Sequence, residues 1–171
     1  MNEISTDITT LLLRELEGFK RELALFPDEE RMWHTVPGVT NSAANLALHV
    51  AGGLQYLIGS VLGQTGYVRD REAEFSRRSG SREEVYAELD RAAAVVREVM
   101  PGVPASTLAS PFPEPVLGVT FGTRVFLLHL CAHAAFHLGQ AGYLRRVLTG
   151  DRSSSGPVPL GPLAGNPPGS H

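Results

Sequence analysis

Three histidines spaced four residues apart, His129, His133 and His137, stand in an apolar stretch late in this 171-residue chain and are half of its six histidines. On an α-helix, residues four apart lie one turn above each other with an offset of about 40°, so the three rings climb one stripe. Imidazole is the commonest protein ligand for a borderline metal ion, and two imidazoles one turn apart can chelate one ion without straining the helix. A third ligand from another helix would complete such a site. The competing reading is a row of hydrogen-bonded core or rim histidines, because His-x-x-x-His arises easily by chance. Burial favours the metal: an unpaired buried polar group costs about 1–3 kcal/mol, and a shared cation removes that cost for several rings at once.

The elements that must position these rings follow from apolar spacing. Ile4, Ile8, Leu11, Leu12, Leu16, Phe19, Leu23 and Phe26 mark a first amphipathic helix, which Pro27 stops. The link over 28–40 holds Trp33, the only tryptophan, read as a plug over the end of the bundle. Asn41 or Ser42 can cap a second helix running through Leu46, His49, Val50, Leu54, Leu57, Ile58, Val61 and Leu62. Gly52 and Gly53 inside it each cost about 1 kcal/mol against alanine, which points to close approach by a neighbouring helix or a bound group. His49 shares the face of Leu46, Val50 and Gly53 and should point inward.

Residues 63–80 turn polar and aperiodic and read as a crossover loop. Ser81-Arg-Glu-Glu84 is a capping box opening a third helix, whose outer face of Arg and Glu suggests no chemistry. Pro101, Pro104, Pro111, Pro113 and Pro115 forbid a continuous helix over 100–119, leaving a long extended connection with a short strand pair around 116–120. Thr120 or Thr123 opens the fourth helix, which carries the histidine stripe and ends at Gly150. The expected fold is all-α, a four-helix bundle over residues 1–150 with long connections, followed by a Pro/Gly/Ser-rich tail over 151–171 that is extended or mobile and lies outside the core.

Composition narrows the function classes. A formal charge of -3 from 15 basic and 18 acidic residues, with one lysine at Lys20, leaves no basic track for nucleic acid. Arg77, Arg78 and Arg82, and Arg145, Arg146 and Arg152, read as solvated helix flanks. One cysteine, Cys131, excludes an intrachain disulfide and fits a reducing compartment. It lies about 200° round the helix from His133 and reads as a small buried hydrophobe. The first residues lack the basic start and apolar run of a signal peptide, and no run of about 20 apolar residues spans a membrane, so the expected location is cytoplasmic.

One His within Asn45-Leu-Ala-Leu-His49 on the second helix, then a long gap and His133-Ala-Ala-Phe-His137-Leu-Gly-Gln140 on the fourth, resembles the DinB/YfiT-like superfamily of metal-binding helical bundles. The likeness covers about residues 1–150. It implies a four-helix bundle of unusual connectivity, a homodimer, and a divalent metal held by His49, His133 and His137. Many relatives read His-Arg-Gly-Gln where this chain has His137-Leu-Gly-Gln140, so the arginine's role is absent or supplied elsewhere. His129 is an extra imidazole, which either supports His133 from behind or makes His129 and His133 the chelating pair.

Three neutral imidazoles leave an ion its full charge and an open position, the pattern of catalytic sites. The expected activity is a metal-dependent hydrolase or, like some relatives, a transferase that activates a low-molecular-weight thiol toward a small electrophilic substrate. Affinity order favours zinc or nickel, with iron or manganese behind them. Gln140 and Asn45, each about one turn from a ligand, are candidates to orient a ring or a water, or merely to satisfy backbone groups. Asp and Glu are missing from the second and fourth helices, so a base must come from a loop, His129 or His34, which weakens the hydrolase more than the thiol chemistry. The alternative is a non-catalytic, stress-related dimeric bundle with a structural or vestigial metal.

Overall fold

The computed structural model describes residues 3–165. Four long helices form the bundle: α1 (Glu3–Ala24), α2 (Ala43–Leu54, continued by a π-helical stretch Gln55–Leu62), α4 (Arg82–Val99) and α6 (Thr123–Thr149). Two short helices sit in the connections, α3 (Arg71–Ser76) and α5 (Ala105–Leu108). Among the described residues the only β pairing is two isolated antiparallel bridges, Pro111 with Gly122 and Val116 with Val119.

α1 packs on α4 and α6, and α2 packs on the same two helices, so α1 faces α2 across one diagonal and α4 faces α6 across the other. This ring accounts for two of the long links. The links over 25–42 and 100–122 each cross a diagonal and must be long, a bundle with crossover connections. The core runs through Leu12, Leu16 and Phe19 of α1, Ala47, Ala51 and Ile58 of α2, Leu89 and Val96 of α4, and Leu127, Ala134 and Ala141 of α6, all buried. Alanines along α2 let its neighbours approach closely.

Local signals set the helix ends. Ser42 caps α2 in a capping box with Asn45, and Ser81 caps α4 in one with Glu84. α6 begins at Thr123 behind Gly122, with no side-chain cap from Thr120 or Thr123. It ends at Gly150, whose φ of 70° is the left-handed conformation glycine adopts freely. Trp33 is buried, its indole N–H donating to the Gly80 carbonyl at 2.8 Å, and Arg77 lies over its ring.

Three expectations are corrected. The 63–80 loop contains the helix α3, started by the Asp70 side chain accepting from the Ala73 N–H. The stretch Ala43–Leu62 is long and apolar enough to cross a membrane by length and composition, though most of it is buried inside the bundle. A core helix hydrophobic all round passes the same test. Third, Arg145 is no solvated flank but is completely buried, paired with the equally buried Glu22 of α1. Its guanidinium also donates to the carbonyls of Asp151 (3.3 Å) and Ser153 (2.7 Å), and the Ser155 hydroxyl donates to Glu22. These bonds clasp the start of the tail to α1, and a turn at Gly161–Gly165 follows. The rest of the tail, 166–171, lies outside the described residues.

Candidate metal centre

α2 and α6 are neighbours in the ring, and their seam brings His49 to His133 and His137. The His49 Nε2 lies 3.3 Å from the His133 Nε2, which lies 3.1 Å from the His137 Nε2. The candidate ligand atoms of all three rings fall within 4.8 Å of one another. His49 is 9% exposed, and the other two are half-buried.

The tautomers follow from the outer partners. The Glu74 carboxylate can only accept, so the His49 Nδ1 3.0 Å from its Oε2 carries the proton, even with the Arg69 Nη2 3.1 Å from that nitrogen, and the Nδ1–H of His137 donates to the Gln140 Oε1 at 2.7 Å. Each bond leaves an Nε2 lone pair aimed at the shared centre, the arrangement in which an outer carboxylate or amide orients a metal-binding imidazole. His133 has its Nε2 between them, and one proton there can serve only one of its two neighbours well. The donor set therefore fits a cation better than a hydrogen bond. Three nitrogens about 2.05 Å from a common ion stand about 2.9 Å apart at right angles and about 3.3 Å apart at tetrahedral angles. The observed separations of 3.1 and 3.3 Å lie within that interval.

Charge points the same way. Burial first, then the neighbouring histidines His137, His49 and His129, pushes the His133 pKa down to about 4. Burial likewise lowers that of His137. Both rings are neutral near pH 7, the form a metal requires. Burial alone would raise the Glu74 carboxyl, but hydrogen bonds from His49 and Arg69 overturn it and hold the group below the usual carboxylate range.

Glu74 is the functional residue that sequence reasoning missed. α3 delivers it into the bundle, where Arg69 grips both oxygens at 2.7 Å and the Arg69 guanidinium also reaches the His49 carbonyl at 3.3 Å. Asn45 touches no ligand ring. Its amide donates to the carbonyls of Glu74 (2.8 Å) and Arg77 (2.9 Å), so it ties the α3 segment to α2. The available signal was Gly52: a Cβ there would stand 2.2 Å from the Glu74 Oε1. Gly52→Ala is expected to push Glu74 off His49 and weaken zinc binding about tenfold with every ligand intact, as measured by competition with a chelator.

The remaining candidates separate cleanly. His129 is exposed, stacks on Phe126 at 6.0 Å and stands 5.9 Å from the His133 ring, outside the cluster. The pair next to His49 is thus His133 and His137. Leu138, in the place of the relatives' arginine, is buried in the seam with α1 against Gly18. Cys131 is buried, and burial followed by the nearby Glu15 charge pushes its thiol up to about 12, so it is no thiolate. His34 lies beside Glu30 in the first connection, and neither the histidine cluster nor the cavity next to it includes it.

No curated protein matches the chain. Residues 11–141 match the DinB superfamily, a span that takes in all three converging histidines and most of the bundle, and the chain belongs to that superfamily.

Proposed function

We propose that this protein is a metal-dependent enzyme that holds one divalent ion on His49, His133 and His137. The observation that carries the reading is the convergence of three Nε2 atoms beside a cavity of about 340 Å³ that reaches His49 and His133. A bound ion would supply Lewis acidity at the floor of that cavity. Zinc or nickel suits an imidazole set best.

Of the two chemistries, thiol transfer is favoured over hydrolysis. The carboxylate nearest the cluster, Glu74, is held by Arg69 and His49, so it orients a ring and is not placed to take a proton from water. A thiol needs no permanent base of that kind. The test is zinc- or nickel-loaded protein with cysteine and 1-chloro-2,4-dinitrobenzene, where the S–C bond forms, chloride leaves and the thiol proton goes to buffer. Expected is thiol loss faster than with His137→Ala. If neither thiol loss nor hydrolysis of 4-nitrophenyl acetate exceeds that variant, the enzymatic reading falls and a structural ion replaces it.

A homodimer is part of the same proposal. Val125, Leu128, Phe136, Tyr143 and Val147 are exposed along one face of α6 at steps of three, four, seven and eight residues, a stripe of helical period that no element of this chain covers among the described residues. A second copy laid along it would flank the histidine cluster. Phe136→Glu is expected to turn a dimer into a monomer by light scattering, and a monomeric native protein would sink this part of the proposal.

A further inference from the structure

The cavity beside the histidines has walls and charges of its own. Val50, Leu54, Leu57, Phe126 and Leu130 make it largely apolar. Its ionisable lining consists of arginine and histidine, with no carboxylate. Arg69 is matched by Glu74, whereas Arg71 makes no ion pair among the described residues and lies over the Phe75 ring at 5.1 Å. Phe75 in turn packs on His49 at 4.7 Å, so the unmatched guanidinium sits at the mouth of the cavity, one ring away from the cluster.

A finger of chain over 111–122 also lines the cavity, through Val116 and Leu117. Its base is fixed by the Phe112 N–H donating to the Phe121 carbonyl (2.7 Å) and by Phe112 and Phe121 packing on Phe126. Its tip is a two-residue hairpin closed by both Val116–Val119 hydrogen bonds, with φ of 52° at Leu117 and 77° at Gly118. Both values belong to a type I′ turn, whose first position suits Asn or Asp, while a leucine there is strained. Leu117 is also 97% exposed and still lines the cavity. Strain and exposure both oppose a leucine here unless it meets a bound molecule.

We propose that this cavity binds a small organic anion with an apolar body, its charged group on Arg71 and its body between the α2–α6 wall and Leu117. The proposal rests on the functional reading above only for the ion alongside, and deepens it by naming the substrate class. No acidic residue in the lining repels such a ligand, and a neutral or cationic analogue leaves Arg71 unmatched.

The test compares 4-phenylbutyrate with its neutral analogue 4-phenylbutanol by calorimetry, on zinc-loaded protein and on protein stripped of metal. The carboxylate is expected to bind at least about tenfold tighter in both states, since a charge-assisted contact supplies that much. Arg71→Gln should shrink the preference below about twofold. Leu117→Asn should relieve the turn and raise the melting temperature, yet weaken both probes severalfold, which a purely structural residue would not do. Equal binding of the two probes, or an Arg71→Gln variant that keeps the preference, overturns the proposal. Anion preference without any zinc binding sinks the metal reading alone; zinc binding without anion preference sinks this one alone.

Discussion

His133→Ala is expected to abolish metal binding at micromolar zinc, lowering affinity more than about 100-fold, the upper range for losing an outer partner alone. His133 is the ring whose Nε2 faces both others, so its removal breaks the cluster at the middle. The fold itself should survive, because His133 is half-buried at a seam and its loss removes no core contact of the size of a leucine. The readout is thermal. At zinc 100-fold above Kd, binding stabilises the native state by about 2.7 kcal/mol, which raises Tm by roughly 5–10 °C in a chain of this size. The variant should show no zinc-dependent shift, and a shift equal to that of the native protein would remove His133 from the ligand set.

Acid should mimic that variant. With the folded His133 at about 4 and the unfolded ring near its ordinary 6.5, the unfolded chain takes the proton first as pH falls. The stability of the metal-free protein is therefore full above about pH 6.5 and is lost progressively toward pH 4. Zinc leaves over the same window by competition with protons. A His133→Ala protein should show a flatter denaturation midpoint between pH 7 and pH 5.

Arg145→Ala is expected to cost about 3–5 kcal/mol and to lower Tm by about 6–20 °C, the largest stability effect foreseen for a single change here. The pair with Glu22 is completely buried, so truncating the arginine strands a carboxylate that only Ser155 still contacts. It also frees the carbonyls of Asp151 and Ser153, and trypsin should then cut after the exposed Arg152 faster than in the native protein. Replacing both partners by apolar residues, Arg145→Met with Glu22→Leu, should recover most of the stability but leave the tail equally sensitive, because the apolar pair needs no charge yet offers no donor to the tail. Recovery of protease resistance in the double variant would show that the tail is held by other contacts.

The amino-acid sequence by itself determined the four helices, the cap at Ser81 and the end at Gly150, and narrowed the other cap to Asn41 or Ser42, since these depend on apolar spacing and on side chains within a few residues of the backbone groups they satisfy. It also placed His133 and His137 on one stripe and turned His49 inward, because helical periodicity is local. The convergence of the three rings needed the order of helices around the ring, which spacing does not encode. Glu74, Arg69 and Arg145 looked like ordinary polar residues of a loop and a helix flank, and only the fold brought each to a partner of opposite charge far along the chain or across a turn. A charge announces its burial through its partner, and here the partners are chosen by the crossing of α2 with α6, the seating of α3 against Gly52 and the return of the tail onto α1.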